Sequence, residues 1–422
     1  MARELLLRGR TRTLRDIESN TTRKSSKWRD WTCVLLWSIV GYTCIILPVV
    51  AYSKPGLIPF YITLLLFHKE SSPFFAFSHA KAHYSKPQGF EIVALVPFHH
   101  HERTAILDCY LQKNLIHNRG FLDRVVFVPQ TEDAISMEWL YSIVNQTSAY
   151  DISSPGNEPE WKALKKNVMY IRIDGDTLFL EDNTIPTIVK TKLQNPESLI
   201  VSANVINEAA LTSLHSHPGT ALPYLPELYH VEQPPRSESQ LKPGWRASNL
   251  PRWQGPSNFK VNKGFEPPYK GHRWLLSPNA KSGQDPIAAS IYTDTGPTLQ
   301  DWTVGAQQHY SFLHHLENND LARYKFPIWV NPTESISENF GCFWGKDAAA
   351  VHHFSNETGR RSSSSRHESS DPSPHVIIDG KGLVSHYSAE QGAAGLDTTD
   401  LISRYRAYAQ ERVCSCELNN LG

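Results

Sequence analysis

The feature that most constrains this chain is an alternation of strand and helix patterns that starts near residue 91 and ends its third strand on two aspartates. Ile92-Val93-Ala94-Leu95-Val96 is a short apolar run of the kind that forms a buried strand. Thr104 to His117 carries Ile106, Leu107, Tyr110, Leu111 and Leu115 at helical spacing, with Gly120 just past its end. Val125-Val126-Phe127-Val128 predicts a second strand, Ala134 to Val144 a second helix and Val168 to Ile173 a third strand. Ile185 to Leu193 predicts a third helix, and Leu199 to Ala203 a fourth strand. Such alternation folds as an α/β sheet with parallel strands and helices on its faces.

The third strand runs into Asp174-Gly175-Asp176. Ligand sites of open α/β sheets lie at the carboxyl ends of strands. Carboxylate oxygens are hard ligands, suited to Mn2+ or Mg2+. An Asp-x-Asp triplet arises by chance in a chain of 422 residues, and a turn with two capping aspartates is the alternative. Its place at a strand end, some 80 residues into the α/β unit, gives it weight.

Further along, residues 215–300 are rich in Pro, Trp and Gly without periodicity, as functional loops often are. Trp245, Trp253, Trp274 and Trp302 are either stacking platforms for a ligand ring or core. Asp301 to Leu316 predicts a helix, residues 355–375 a Ser/Arg-rich loop, Val376-Ile377-Ile378 and Leu383-Val384 late strands, and Asp400 to Glu411 a last amphipathic helix. Six cysteines exclude a disulfide scaffold. Cys109, Cys342, Cys414 and Cys416 leave a disulfide possible, but Cys109, on an apolar helix face, reads as core, and Cys414-x-Cys416 lacks the partners of a zinc site.

The net charge of zero, 42 basic against 42 acidic residues, gives no sign of a nucleic-acid partner. It is a cancellation. Residues 1–30 hold nine basic and four acidic residues, +5, and the remainder holds 33 against 38, −5. The basic tail precedes Trp31 to Ser53, 23 residues without a charge. About 20 apolar residues span a bilayer, and a basic flank keeps its side in the cytosol. The chain therefore reads as a single-pass type II protein: tail 1–30, signal anchor 31–53, stem 54–90, main domain 91–412 and a short tail 413–422. The second uncharged run, 55–67, is too short to span alone and reads as stem, or as the return arm of a hairpin. The triplets Asn145-Gln146-Thr147 and Asn356-Glu357-Thr358 match the glycosylation pattern, which favours the lumen weakly because such triplets also arise by chance.

Strand–helix–strand–helix–strand–Asp-x-Asp resembles the GT-A nucleotide-diphospho-sugar transferases. More narrowly, Ile106-Leu107-Asp108-Cys109-Tyr110-Leu111, Asp174-Gly175-Asp176 through Pro186, Val201-Ser202-Ala203-Asn204-Val205 and Gln307-Gln308-His309-Tyr310-Ser311-Phe312 resemble a group of fungal membrane-anchored GT-A-like proteins. That group usually carries a third Asp where this chain has Gly175.

The resemblance, over about 90–412, implies a GT-A-like (Rossmann-related) mixed sheet flanked by helices behind one N-terminal transmembrane helix. It implies a Golgi or ER glycosyltransferase with a luminal catalytic domain. The substrates would be a nucleotide-sugar donor and a glycan, protein, lipid or small-molecule acceptor. Asp174, Asp176 and a late His386 would hold Mn2+ or Mg2+. The loop His99-His100-His101-Glu102-Arg103 would touch the nucleotide, with Arg103 on a phosphate; the alternative is a solvated loop.

An inverting transfer needs a carboxylate base. Asp301 is one candidate and equally an N-cap; Glu334 and Glu338 follow, and a retaining reaction needs none of them. Two other readings stand beside this one: a phosphotransferase or phosphatase of haloacid-dehalogenase type with Asp174 as nucleophile, and a catalytically degenerate GT-A-like luminal scaffold.

Overall fold

The computed structural model describes residues 85–153, 164–208, 211–216, 219–229, 244–256, 258, 259–278, 301–330, 339–361, 375–387 and 393–414. The chain divides into two units, residues 1–70 and 71–422, and every described residue lies in the second. The basic tail, the predicted anchor 31–53 and the 55–67 run lie outside the described residues, as do Glu334, Glu338 and most of the Ser/Arg-rich stretch. Among the described residues, no helix is long and apolar enough to cross a membrane.

The alternation folds as read, with shifted ends. Strand β1 is Ile92–Phe98, helix α1 His101–Asn114, β2 Arg124–Pro129 and α2 Ala134–Gln146. A short β3, Tyr150–Ile152, precedes β4, Met169–Ile173, and β5, Thr177–Leu180, follows the aspartates. Then come α3, Thr184–Gln194, β6, Ile200–Ile206, and the single turn α4, Thr212–His215.

The apolar runs are strands because both faces of the sheet are covered. Ile92, Ala94, Val96 and Phe98 of β1 join one buried cluster, while Val93 and Leu95 join the cluster on the opposite face. Helix α1 buries Ile106, Leu107, Tyr110 and Leu111 on the first of these faces. Each aliphatic side chain so buried contributes about 1.5–3 kcal/mol.

The sheet is not all parallel, as the strand pattern alone predicts, but mixed, as the resemblance implies. Its order is β3-β2-β1-β4-β10-β6-β11-β5, where β10 is Phe340–Trp344 and β11 is Val376–His386. Strands β3, β2, β1 and β4 run parallel, β10 is antiparallel to both β4 and β6, and β11 is parallel to β6. Strand β9, Trp329–Val330, and β5 pair antiparallel with different halves of β11. The two late runs predicted separately are thus one strand, broken by a register shift between Asp379 and Leu383. Because β4, β6 and β11 share a direction, their carboxyl ends share an edge.

Segment 215–300 is not wholly aperiodic. Its described part contains a two-stranded ribbon, β7 (Tyr224–Pro226) antiparallel to β8 (Trp274–Leu276). Its tryptophans are structural. Trp274, Trp253 and Trp245 are buried, and Trp253 donates its indole N–H to the Pro226 carbonyl and Trp245 to Glu411. Trp302 opens helix α5, Trp302–Glu317, and packs its ring near Phe265 and Trp274.

After β10 come helix α6, Ala348–Arg361, and, beyond β11, a single turn α7, Ala393–Leu396. The last helix, α8, is Leu401–Arg412. Cys109 is corrected by the structure: it is bonded to Cys414 as a disulfide, tying α1 to the end of α8 across 305 residues of sequence. An apolar helix face hides a cysteine and brings it to a partner helix equally well. Cys342 is free and buried among the described residues.

Candidate functional site: an acid pair at the carboxyl ends of the strands

Asp174-Gly175-Asp176 forms the turn between β4 and β5. Thr177 N–H donates to the Asp174 carbonyl over 3.0 Å, and Asp176 N–H donates to Asp174 Oδ1 over 2.8 Å. Gly175 N–H donates to the Pro97 carbonyl over 3.1 Å, so the turn lies on the end of β1. A Cβ at position 175 would stand 2.4 Å from that carbonyl oxygen. A side chain at position 175 would therefore force the end of β1 or the turn to move.

The structure brings together four of the residues predicted for the site. His386, the last residue of β11, sets Nε2 3.3 Å from Asp174 Oδ1, at ion-pair distance but without hydrogen-bond alignment. Burial pushes the Asp174 carboxyl up, yet His386 and the Asp176 amide outweigh it and hold the group down to about 2. Burial likewise favours neutral His386, but Asp174, Glu208 and Asp176 together raise its imidazole above the ordinary value.

Arg103 comes from the first turn of α1, which begins at His101; His99 and the exposed His100 lie in the connection after β1, so the triple-histidine segment is part loop and part helix start. Its Nη1 donates to Asp176 Oδ2 over 2.6 Å and its Nη2 to Asp397 Oδ1 over 2.8 Å. The guanidinium carbon lies 4.1 Å from the centroid of the Tyr387 ring, within cation–π range. Burial disfavours its charge, but Asp176, Asp397 and Tyr387 more than offset that.

Asp301 is the N-cap of α5: its Oδ1 accepts from the Thr303 N–H over 2.9 Å and from the Thr303 hydroxyl over 2.8 Å. Helix α5 reaches the site further along. His309 lies 2.7 Å through Nε2 from the Tyr387 carbonyl and 2.9 Å through Nδ1 from the Tyr405 hydroxyl. Burial holds this imidazole neutral, down to about 4.

Asp397, Tyr387 and Glu208 were not found by sequence reasoning. Glu208 sits two residues past β6 and accepts from the Asn339 side-chain amide, while the Asn339 carbonyl accepts from Asp174 N–H over 2.8 Å. Its place just past a strand end was a usable signal. Tyr387, directly after β11, carries the same mark, whereas Asp397, just after α7, carries none.

By type, the donor set fits a divalent cation. Asp176 Oδ1 is buried with no hydrogen-bond partner, as are both ring nitrogens of His386. Such orphaned buried polar atoms are costly without a ligand. Among the described residues, no three His, Cys, Asp or Glu side chains are already drawn together as a cage. The ion would have to share the acids with substrate oxygens, as Mg2+ and Mn2+ usually do.

The fold and site thus define a mixed α/β protein with a partly buried acid pair, an imidazole and a guanidinium at one edge of its sheet. No protein family matches the sequence, and no characterised protein matches it either. Among solved structures, it is similar to two of glucosyl-3-phosphoglycerate synthase from Mycobacterium tuberculosis. One is a complex with Mn2+, uridine diphosphate and glucosyl-3-phosphoglycerate, the other with Mn2+, uridine diphosphate and phosphoglyceric acid. Identity is 14% over 36% of this chain in both, with a TM-score of 0.23. The chain spans just over half the length of those structures, 56% and 55%. A likeness this slight carries no weight for fold or chemistry.

Proposed function

We propose that this protein is a metal-dependent glycosyltransferase, moving a sugar from a nucleotide-diphosphate-sugar donor to a hydroxyl acceptor. The observation that carries the reading is the convergence of Asp174, Asp176, His386 and Arg103 from three separated segments on the carboxyl ends of β1, β4 and β11. Asp174, Asp176 and His386 would hold Mn2+ or Mg2+, which offsets diphosphate charge as the glycosidic bond breaks. Arg103 supplies a planar cation for the phosphate oxygens. Glu208, at the rim beside Asn339, is the carboxylate we assign to the acceptor hydroxyl if transfer inverts, ahead of Asp301, whose oxygens cap α5.

The same proposal places the protein in the Golgi or ER membrane, anchored by residues 31–53 with residues 91–412 in the lumen. The Cys109–Cys414 disulfide supports this, because such bonds persist in oxidising compartments. Asn145 of the first glycosylation triplet is exposed.

A thermal-shift screen against nucleotide sugars, with and without Mn2+, tests the reading. Stabilisation by one donor class that requires the metal is expected. No shift with any nucleotide sugar in the presence of Mn2+ contradicts transfer and leaves a degenerate scaffold.

A further inference from the structure

Arg103 faces two carboxylates of very different standing. The Asp176 side chain is 16% exposed and the Asp397 side chain 51%, while that of Arg103 itself is 9% exposed. Asp176 is therefore the buried partner and Asp397 the solvent-side one. Asp397 is held twice at one oxygen: Oδ1 accepts from Arg103 Nη2 over 2.8 Å and from the Tyr387 hydroxyl over 2.9 Å. The Tyr387 ring lies under the guanidinium, and the Tyr387 N–H donates to the Asp176 carbonyl over 3.0 Å. Ring, guanidinium and the Asp174–Asp176 turn thus form one piece. Asp397 enters from a different segment, just after α7.

A half-exposed carboxylate on a guanidinium is held weakly, because solvent screens it. A phosphate oxygen pair carries more charge and matches the same planar fork. We infer that Asp397 is a stand-in anion. It holds Arg103 over the Tyr387 ring in the place the phosphate oxygens of a diphosphate take, and it is exchanged for them when that ligand arrives. The ligand class rests on the glycosyltransferase reading; the exchange rests on the geometry of Arg103. Asp397 and the Tyr387 hydroxyl are in this account positioning groups, which keep the guanidinium oriented between ligands and weaken ligand binding by competition.

The test is calorimetric titration of the full chain with inorganic pyrophosphate in the presence of Mn2+. Asp397→Asn removes the competing charge and its repulsion of the incoming anion, so pyrophosphate binds several-fold more tightly than to the wild type. Tyr387→Phe keeps the ring and loses the hydroxyl that holds Asp397, so it shifts affinity in the same direction by less. Asp397→Glu restores weaker binding. Arg103→Gln, which retains no charge, weakens binding and removes the gain from Asp397→Asn.

Unchanged or weaker pyrophosphate affinity in both Asp397→Asn and Tyr387→Phe, with either protein folded, overturns the inference. Tighter binding in Asp397→Asn without turnover of any nucleotide sugar sustains the exchange and removes the transferase reading. Turnover of a nucleotide sugar with no tightening in Asp397→Asn does the opposite.

Discussion

His386 Nε2 stands 3.3 Å from Asp174 Oδ1, setting the end of β11 against the turn that follows β4. Two strands separated by some 200 residues of sequence thus complete one site. On the proposed function, His386→Gln lowers the affinity for Mn2+ in the presence of a nucleotide diphosphate by tenfold or more. It leaves the melting temperature within a few degrees. Equal metal affinity in the variant, read by titration, would remove His386 from the ligand set.

Gly175 is fixed by contact and not by torsion. Gly175→Ala sets a Cβ 2.4 Å from the Pro97 carbonyl and 3.2 Å from Thr104 Oγ1. It lengthens the Gly175–Pro97 hydrogen bond or moves the turn. Overpacking of this kind costs about 1–3 kcal/mol. Urea unfolding should show that loss, together with weaker metal binding, because the same turn carries both aspartates. A neutral Gly175→Ala would mean that the end of β1 yields freely.

The disulfide between Cys109 and Cys414 closes nearly the whole domain. Breaking it by Cys109→Ala or Cys414→Ala costs about 2–5 kcal/mol. The two variants and their double mutant should match, since each removes the same bond. Helix α1, which carries Arg103, is one of the two helices it ties, so the loss should also weaken nucleotide binding. Stability insensitive to reductant contradicts the bond.

His309 gives a pH dependence with a definite sign. Burial depresses its imidazole from the ordinary value near 6.5 to about 4, so the folded protein takes up this proton later than the unfolded chain. The stability it contributes is fully present above pH ~6.5 and lost as pH falls through the folded value. Between pH 7 and 4.5 this amounts to roughly 2 kcal/mol. His309→Gln should lose less stability over that interval than the wild type, measured by urea unfolding at both pH values. Equal losses would show that His309 charges freely in the fold.

The α/β units were legible because buried strands need apolar residues on both faces and helices on one. Ile92–Val96 and Thr104–His117 carry those patterns openly. Strand β10 was not legible: Phe340 to Trp344 is five residues long, contains Gly341, and sits between β4 and β6 only through pairings far apart in sequence. The antiparallel β5 was hidden by its shortness for the same reason.

At the site, Asp174, Asp176 and Arg103 stand at strand ends or a helix start, which sequence can mark. His386 was nominated through a family resemblance, and the geometry sets it beside Asp174. Asp397 is nearly three hundred residues from Arg103 and acquires its place only when α7 packs against α5. Asp301 carries the one ambiguity that local sequence states fairly: a capping aspartate and a catalytic one look alike until the partner atoms are seen.

The central claim is that the acid pair supports transfer from a nucleotide sugar. The most direct measurement is release of nucleoside diphosphate from a nucleotide sugar, with Mn2+, by wild type and by Asp176→Asn. The account predicts release by the wild type that stops on chelation, and loss of at least a hundredfold in Asp176→Asn, with Arg103 still paired to Asp397 and the fold intact. Undiminished release by Asp176→Asn, unaffected by chelation, would contradict it.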